Sequence, residues 1–326
     1  MNENSRPRIP NEWVRYMYEK LESGELTYAT VLKKVPYSYQ NVTIFKQISR
    51  NTLKKAFKEI GGTPKIKSGP PQEELTPELI LKVQNSYENY KCGVQKLYWT
   101  LNMNPKQFQI SYNAVIKAAK FLGIYKEKDK SNPKAYYVDY EAILPNTIWH
   151  VDIHFLKEPE TLPVYGIIDD KSRYLLALKL LRNKSSTETS KVAIATVQKY
   201  GAPFCFWSDN GKENEGEFTK FLSTYDIQIR KSAPYMPRQN GKIERLWPSL
   251  DKNAPKSSEF ESINQELEEF RQKYNDMPHG AHPKIGVRPY TPREVYNKFK
   301  KWTKDDKPLW KKCVNKQWEV EEIPNY

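Results

Sequence analysis

Three acidic residues stand where a carboxylate needs a reason: Asp152, Asp209 and Glu244. In IWHVDIHFL (148–156), Trp149, Val151, Ile153 and Phe155 alternate with His150, Asp152 and His154. That period of two is a strand with one apolar and one polar face. Asp152 falls mid-strand, where an acid disfavours the conformation. Asp209 follows the apolar run FCFW (204–207) and sits in the turn Ser208-Asp209-Asn210-Gly211. Glu244 lies on a helix predicted to begin near Asn240. Acids at strand ends converge where α/β sheets place their sites. Clustered carboxylates repel one another unless a cation neutralises them, and hard oxygen ligands suit Mg²⁺ or Mn²⁺. Two such ions about 3.5–4 Å apart can clamp the attacking and leaving oxygens of a phosphodiester during in-line displacement. One ion then lowers the pKa of a nucleophilic water or hydroxyl, and the other steadies the departing oxygen.

The words around the acids narrow the chemistry. WHVDIHF, WSDNGKEN-EGEF and PYMPRQNGKIERL occur in that order. Together they resemble the catalytic core of retroviral integrases and bacterial IS3-type transposases. That family carries a W-x-x-D strand, an S/T-D-N/Q-G turn and a Glu after a P-Y-x-P-x-x-x-G segment. IIDDKSRYLLALKL resembles the family's strand-turn-strand between the first two acids, and YNDMPHGAH…YTPREVY its downstream segment. The likeness covers about residues 141–297. It implies a ribonuclease H-like fold and assigns metal binding, with two Mg²⁺ or Mn²⁺ ions per site, to Asp152, Asp209 and Glu244. Two departures stand out. Asp209 and Glu244 are separated by 34 residues, one fewer than the commonest form, and the retroviral His-His-Cys-Cys amino-terminal motif is absent. The layout lies closer to IS3-like transposases.

The elements that must position these acids follow from periodicity. Strands are predicted over 163–168, 174–181, 204–207 and 227–232, and helices over 185–200 and 218–225. Ser185 with Glu188 reads as a capping box and Gly201 as a helix stop. Acidic helix 259–276 and a helix opened by Thr291-Pro292 follow. The expected fold class is α/β: a ribonuclease H-like mixed-sheet catalytic core preceded by all-α helix-turn-helix units.

Domain expectations are an amino-terminal helix-turn-helix unit (1–62), a linker (63–74), a second such unit (75–125), a linker (126–146), the catalytic core with its carboxy-terminal helices (147–297) and a basic Trp-containing tail (298–326). In the first unit, Trp13, Val14, Met17 and Leu21 line one helix face. Thr27–Lys34 is predicted as a second helix. Ser49 caps a third, with Leu53, Ala56, Phe57 and Ile60 on one face. The second unit runs from Thr76-Pro77, through Gly93–Leu101, to a helix begun at Ser111 and ended at Gly123. A plain helical bundle without DNA contact is the alternative for either unit.

Residues near the acids and on the basic third helix are the candidates for DNA contact. They are Asn210, Gln239, Asn240, Lys242 and Arg245, with Arg50, Lys54 and Lys55 in the first unit. For Lys242 and Arg245 the alternative is an exposed helix charge; Asn210 and Gly211 also shape the turn of Asp209. His150 and His154 read as packed or solvent-facing rather than as ligands. Asp169 and Asp170 read as the end of a turn with Arg173. In the tail, eight Lys and two Asp over 298–316 surround Trp302 and Trp310, which either stack on DNA or pack onto the core.

Bulk composition agrees with this reading. The 326 residues carry 53 Lys+Arg against 39 Asp+Glu, a formal +14, heaviest in the amino-terminal part. Such an excess favours a polyanion. Cys92, Cys205 and Cys313 are far apart and offer neither a disulfide framework nor zinc-knuckle spacing. A reduced, intracellular setting fits, in nucleus or nucleoid according to the host. The start MNENSRPRIP does not read as a signal peptide, and no apolar run has membrane length.

The expected function is a DNA integrase or transposase. It would cleave at 3′ ends and transfer the strand to target DNA, working as a homo-oligomer because two DNA ends are joined. Element ends and target DNA are the expected partners, with no membrane and no small-molecule substrate. The alternatives are an inactive or domesticated DNA-binding derivative of a mobile element, and an RNA/DNA-hybrid nuclease on the same fold.

Overall fold

A computed structural model describes residues 11–23, 25, 37–39, 42–44, 50–62, 75–104, 110–125, 139–156, 161–232, 237–314 and 317–324. The chain divides into two compact units, residues 1–72 and 73–326.

In the first unit, helix α1 (Asn11–Glu22) and helix α2 (Arg50–Glu59) pack through Trp13, Val14, Met17, Leu53 and Phe57. The apolar face read from the sequence is the buried one. Tyr18 meets Phe57 edge-on at 5.5 Å. Gly62 lets the chain pass this ring, since a Cβ there would lie 2.7 Å from Tyr18. An all-α front end is not what forms. Strands β1 (Tyr37–Tyr39) and β2 (Val42–Ile44) make an antiparallel hairpin between the two helices. Triplets this short carry too little alternation to announce a strand. The predicted helix 27–34, the Ser49 cap and the 63–74 linker lie outside the described residues.

The second unit begins with α3 (Pro77–Tyr90), α4 (Val94–Leu101) and α5 (Tyr112–Phe121), joined by a core of Val83, Leu97, Val115 and Ala118. The starts of α3 and α5 are set by side-chain caps: the Thr76 hydroxyl accepts from Leu79 N at 3.2 Å and the Ser111 hydroxyl from Ala114 N at 3.2 Å. Gly123, at φ +69°, closes the last helix.

The core sheet contains β4 (Ile148–Leu156), β5 (Leu162–Asp169), β6 (Leu175–Leu180), β7 (Cys205–Ser208) and β8 (Gln228–Lys231). Its order is β6-β5-β4-β7-β8, with β4 antiparallel to β5 and parallel to β7. The first three strands are sequential and antiparallel, and the last two add in parallel on the other side. This is the ribonuclease H-like arrangement expected from the sequence. One face packs Trp149, Val151, Tyr165 and Ile167 against α6 (Ser186–Tyr200) and α7 (Glu217–Thr224). The other packs Val164, Ile168, Leu175 and Leu178 against α8 (Gly241–Glu244), α9 (Trp247–Asp251) and α10 (Phe260–Asp276). The "polar" face of β4 is therefore an inter-layer face. Ser185 caps α6 by accepting from Glu188 N at 3.4 Å, but Glu188 Oε2 accepts from Arg182 N instead of closing a capping box.

Edge strand β6 is covered by side chains of α10. Asn275 both donates to Leu175 O at 3.0 Å and accepts from Leu175 N at 2.8 Å, and Asn264 accepts from Leu180 N. These bonds satisfy backbone groups that would otherwise invite edge pairing. Helix α11 (Pro292–Lys298) opens with a full capping box between Thr291 and Glu294.

Two expectations are corrected at the ends of the core. The 126–146 stretch is not all linker, because Asp139–Ala142 forms strand β3. The tail is not a loose basic segment. After a short antiparallel pair, β9 (Lys284–Ile285) and β10 (Arg288–Pro289), strands β11 (Leu309–Val314) and β12 (Gln317–Glu322) form a hairpin, and β11 pairs with β3 (Trp310↔Ala142). A strand whose partner lies about 170 residues away has no local signature. Of the two alternatives for the tail, packing describes Trp302, which is 8% exposed and meets Phe204 at 5.6 Å. Trp310 likewise lies 5.7 Å from Tyr140. Among the described residues, no helix is long and apolar enough to cross a membrane.

A buried polar node ties these layers together. Asp170, fully buried, accepts from Ala142 N at 2.7 Å through Oδ2. Its Oδ1 takes an ion pair from Lys242 and lies 2.8 Å from His150 Nε2. Lys242 also donates to Tyr140 O at 2.6 Å, and its ammonium sits 4.2 Å from the Tyr140 ring centre. His150 Nδ1 lies 3.0 Å from Asn240 Oδ1, and Asn240 donates to Val151 O. Burial would raise the Asp170 carboxyl, but Lys242 and His150 outweigh it and hold it below the ordinary carboxylate range. Burial lowers the Lys242 ammonium to about 8, against the pull of Asp170. Beside it, Asp169 accepts from Asn146 N and from both Ser172 N and Ser172 Oγ, closing the turn as the sequence suggested.

Breaking one half of a buried pair leaves the other half uncompensated. Asp170→Asn is expected to lower the unfolding free energy by roughly 3–5 kcal/mol, measured by urea denaturation. Lys242→Met should cost a similar amount, and the double variant less than the two losses added. A second expectation concerns pH. His282, 7% exposed, donates to Ser172 O at 2.8 Å, and burial pushes its imidazole down to about 4 from 6.5. The unfolded chain takes up the proton first. The stability that His282 contributes is complete above about 6.5 and is lost as pH falls towards 4. The urea midpoint of the wild type should fall through that window, and His282→Gln should flatten the fall.

Candidate active site

Asp152 occupies the middle of β4, opposite Gly166 on β5. Its Oδ1 accepts from Ile153 N at 2.9 Å and its Oδ2 from the Trp247 indole N–H at 2.8 Å. Burial pushes this carboxyl up to about 6. The indole bond opposes the shift, and the charges of Asp209 and Glu244 add to it.

Asp209 leaves the end of β7. The parallel register pairs Ile148 with Cys205, Trp149 with Phe206 and His150 with Trp207. Carried forward, that register sets Asp209 level with Asp152. The side chain is exposed, and Oδ1 accepts from Gly211 N at 3.0 Å, a turn that an Asp supports two residues on. Gly211 has no room for a Cβ, which would lie 2.2 Å from Glu213 Oε1.

Glu244 ends α8, an exposed position reached through the tight turn Pro237–Asn240. Burial and then Asp209 raise its carboxyl above the ordinary value. The residues Pro234 to Met236 of the preceding word lie outside the described residues. Asp209 thus acts electrostatically on both other acids. Among the described residues, no group of three or more His, Cys, Asp or Glu side chains stands poised to hold a metal ion. Uncompensated carboxylates drawn into one place repel. By donor chemistry the set suits a hard divalent cation, which would relieve the mutual raising of their pKa values.

The neighbouring candidates separate. Asn240, 3% exposed, and Lys242, whose side chain is 12% exposed, point inward to the Asp170 node. Their polar atoms hold β4 to α8 and β3. Gln239 is half-buried, and its carbonyl accepts from the Tyr140 hydroxyl. Asn210 is exposed and donates to Ser232 O at 3.1 Å, tying the Asp209 turn to the end of β8. Arg245 is exposed beside Glu244. Lys54 and Lys55 are exposed on α2 in the first unit, where Arg50 opens the same helix but its side chain lies outside the described residues. His150 is packed, as expected, and His154 stacks on Trp247 at 4.9 Å.

Periodicity did not find Trp247, Tyr140 or the central part played by Asp170. Each acts on a partner 72 to 102 residues away, as in the Lys242–Asp170, Trp247–Asp152 and Lys242–Tyr140 contacts. The one signal available was position, since Trp247 follows Glu244 by a single helical turn.

Comparison with known proteins bears on this region. Residues 139–273 match the integrase core domain family. An uncharacterized protein of Caenorhabditis elegans, K02A2.6, is 31% identical over 117 residues, which span 35% of this chain and 9% of that protein. Among solved structures, the catalytic core of BIV integrase is similar over 47% of this chain and 95% of its own, at 16% identity and a TM-score of 0.38. The HTLV-2 integrase catalytic core, solved with magnesium, is similar over 48% and 98%, at 21% identity and a TM-score of 0.35. A chain of the simian T-cell lymphotropic virus intasome is similar over 66% and 74%, at 17% identity and a TM-score of 0.40. The match to the integrase core domain family runs across the sheet and both flanking layers.

Proposed function

We propose that this chain is a DNA integrase or transposase that cleaves DNA at 3′ ends and joins those ends to a target, with Asp152, Asp209 and Glu244 as its metal ligands. The observation that carries the proposal is the placement of three acids: Asp152 mid-strand on β4, Asp209 at the end of the parallel strand β7 beside it, and Glu244 at the end of α8. An acid in the middle of a buried strand is unfavourable for the fold. It is accounted for by a cation that the three acids hold together.

When bound, Mg²⁺ or Mn²⁺ would supply Lewis-acid stabilisation of the reacting phosphate and activation of the attacking hydroxyl. The chain's own residues do the placing. Asp152 is held at both oxygens by N–H donors. Asp209 is presented by a turn that its own side chain closes. Glu244 stands exposed at the end of a four-residue helix. Exposed Arg245 is placed to meet a phosphate beside the reacting bond. In the first unit, exposed Lys54 and Lys55 suit the recognition of element-end DNA by α2. Joining two ends to one target calls for a homo-oligomer.

The test is strand transfer on labelled DNA that carries the element's own ends, in Mg²⁺ or Mn²⁺. The wild type should give joined products. Glu244→Gln should lower the rate by about two to three orders of magnitude, as loss of one electrostatic stabiliser does, while DNA binding persists. If both proteins bind DNA equally and neither cuts nor joins it, the chain is instead a DNA-binding relic of a mobile element.

A further inference from the structure

Trp247 is buried, and packing against β4 and β5 would be reason enough for an aromatic residue there. Its surroundings are more particular than packing requires. The indole passes over Gly166, where a Cβ would stand 2.8 Å from Trp247 Cη2. Gly166 is the β5 residue paired with Asp152, so the missing side chain opens a lane across β5 towards the β4 carboxylate. On β4 the ring lies flat on His154, with centroids 4.9 Å apart and planes 9° apart. His154 Nε2 in turn lies 2.6 Å from Asp251 Oδ1, at the end of the helix that Trp247 begins. The bicycle is thus fixed on two sides, and its one polar atom ends 2.8 Å from Asp152 Oδ2.

The donor chemistry suits a carboxylate that must stay free to bind something else. An indole N–H donates one hydrogen bond, accepts none and carries no charge. It fixes the orientation of Asp152 without neutralising it and without competing as a ligand. With Ile153 N on Oδ1, each carboxylate oxygen has one donor and keeps a lone pair. The same side chain starts three residues after Glu244, across the break between α8 and α9. It therefore sets the helix bearing the third acid against the strand bearing the first.

We infer that Trp247 is a positioning residue, whose indole N–H orients Asp152 for divalent-cation binding and couples that orientation to the helix of Glu244. The inference rests on the reading of Asp152 as a metal ligand. Partners that orient metal ligands typically change affinity by 10–100-fold when removed.

The experiment uses the full chain and Mn²⁺ alone, with bound and free ion separated by electron paramagnetic resonance. Trp247→Phe keeps an aromatic ring on His154 and deletes the N–H. Benzothienylalanine at position 247 keeps the bicyclic shape and also lacks the N–H, so it serves if the Phe variant does not fold. The expected result is Mn²⁺ affinity lowered by about 10–100-fold in a variant whose thermal midpoint and far-ultraviolet circular dichroism match the wild type. Indole proton resonances give a second readout. One should vanish in either Trp247 variant, and that same one should move in Asp152→Asn. A folded variant with wild-type Mn²⁺ affinity, or an Asp152→Asn spectrum with every indole resonance in place, overturns the inference. If the folded wild type shows no saturable Mn²⁺ binding, the metal-ligand reading itself fails and takes this inference with it. That failure is seen in the wild type rather than in the variants.

Discussion

The buried carboxylate of Asp170 is the constraint on which the core's geometry depends. Taking a carboxylate and an ammonium out of water costs several kcal/mol per ion, and only good geometry with further hydrogen bonds offsets it. Asp170 meets that condition with Lys242, His150 and Ala142 N together. Those partners belong to α8, β4 and β3. Few arrangements of a strand, a helix and a strand from a second sheet satisfy one carboxylate at once. The node therefore fixes their mutual position more tightly than apolar packing, which tolerates exchange of similar shapes.

The candidate acids are built outward from this node. His150 lies two residues before Asp152 on the same strand face, and Lys242 lies two residues before Glu244. Asp170 holds the inner member of each pair, so the half-buried Asp152 and the exposed Glu244 follow it with their spacing set. Trp247 adds a second tie on the far side of Glu244. Asp209 enters from the parallel strand β7, so its height along the sheet is determined by register and not by side-chain contact. Two different physical devices, a polar node and a strand register, bring acids distant in sequence into one field. Burial first, and the neighbouring acid charges second, raise the carboxyls of Asp152 and Glu244.

Much of this was legible in the chain of residues. Alternation in IWHVDIHFL gave β4 and the face of Asp152. Ser185, Gly201 and the Thr291-Pro292 pair marked helix ends that the structure keeps. The apolar faces of α1 and α2 were read correctly because a helix face repeats within the helix itself. Illegible were β1, β2, β3 and the β11–β12 hairpin. These strands are two-faced or very short, and their pairing supplies the order that their sequence lacks. The inward contacts of Lys242 and Asn240 were illegible for a related reason. A lysine beside a candidate catalytic acid looks like a phosphate contact until its buried counter-ion, 72 residues away, is seen.

The sequence by itself determined the local matters: which segments alternate with period two or recur at helical spacing, where the caps fall, and which three acids sit in words resembling an integrase core. These are properties of neighbouring residues, and backbone sterics with solvent exposure act at that range. Only the tertiary structure decided which charges face water and which face each other. Register placed Asp209 level with Asp152, the node drew Lys242 inward, and the gap over Gly166 let Trp247 reach Asp152. Each of these depends on a partner 57 to 95 residues away, and whether a polar side chain is solvated or buried is settled by that partner and not by its own type.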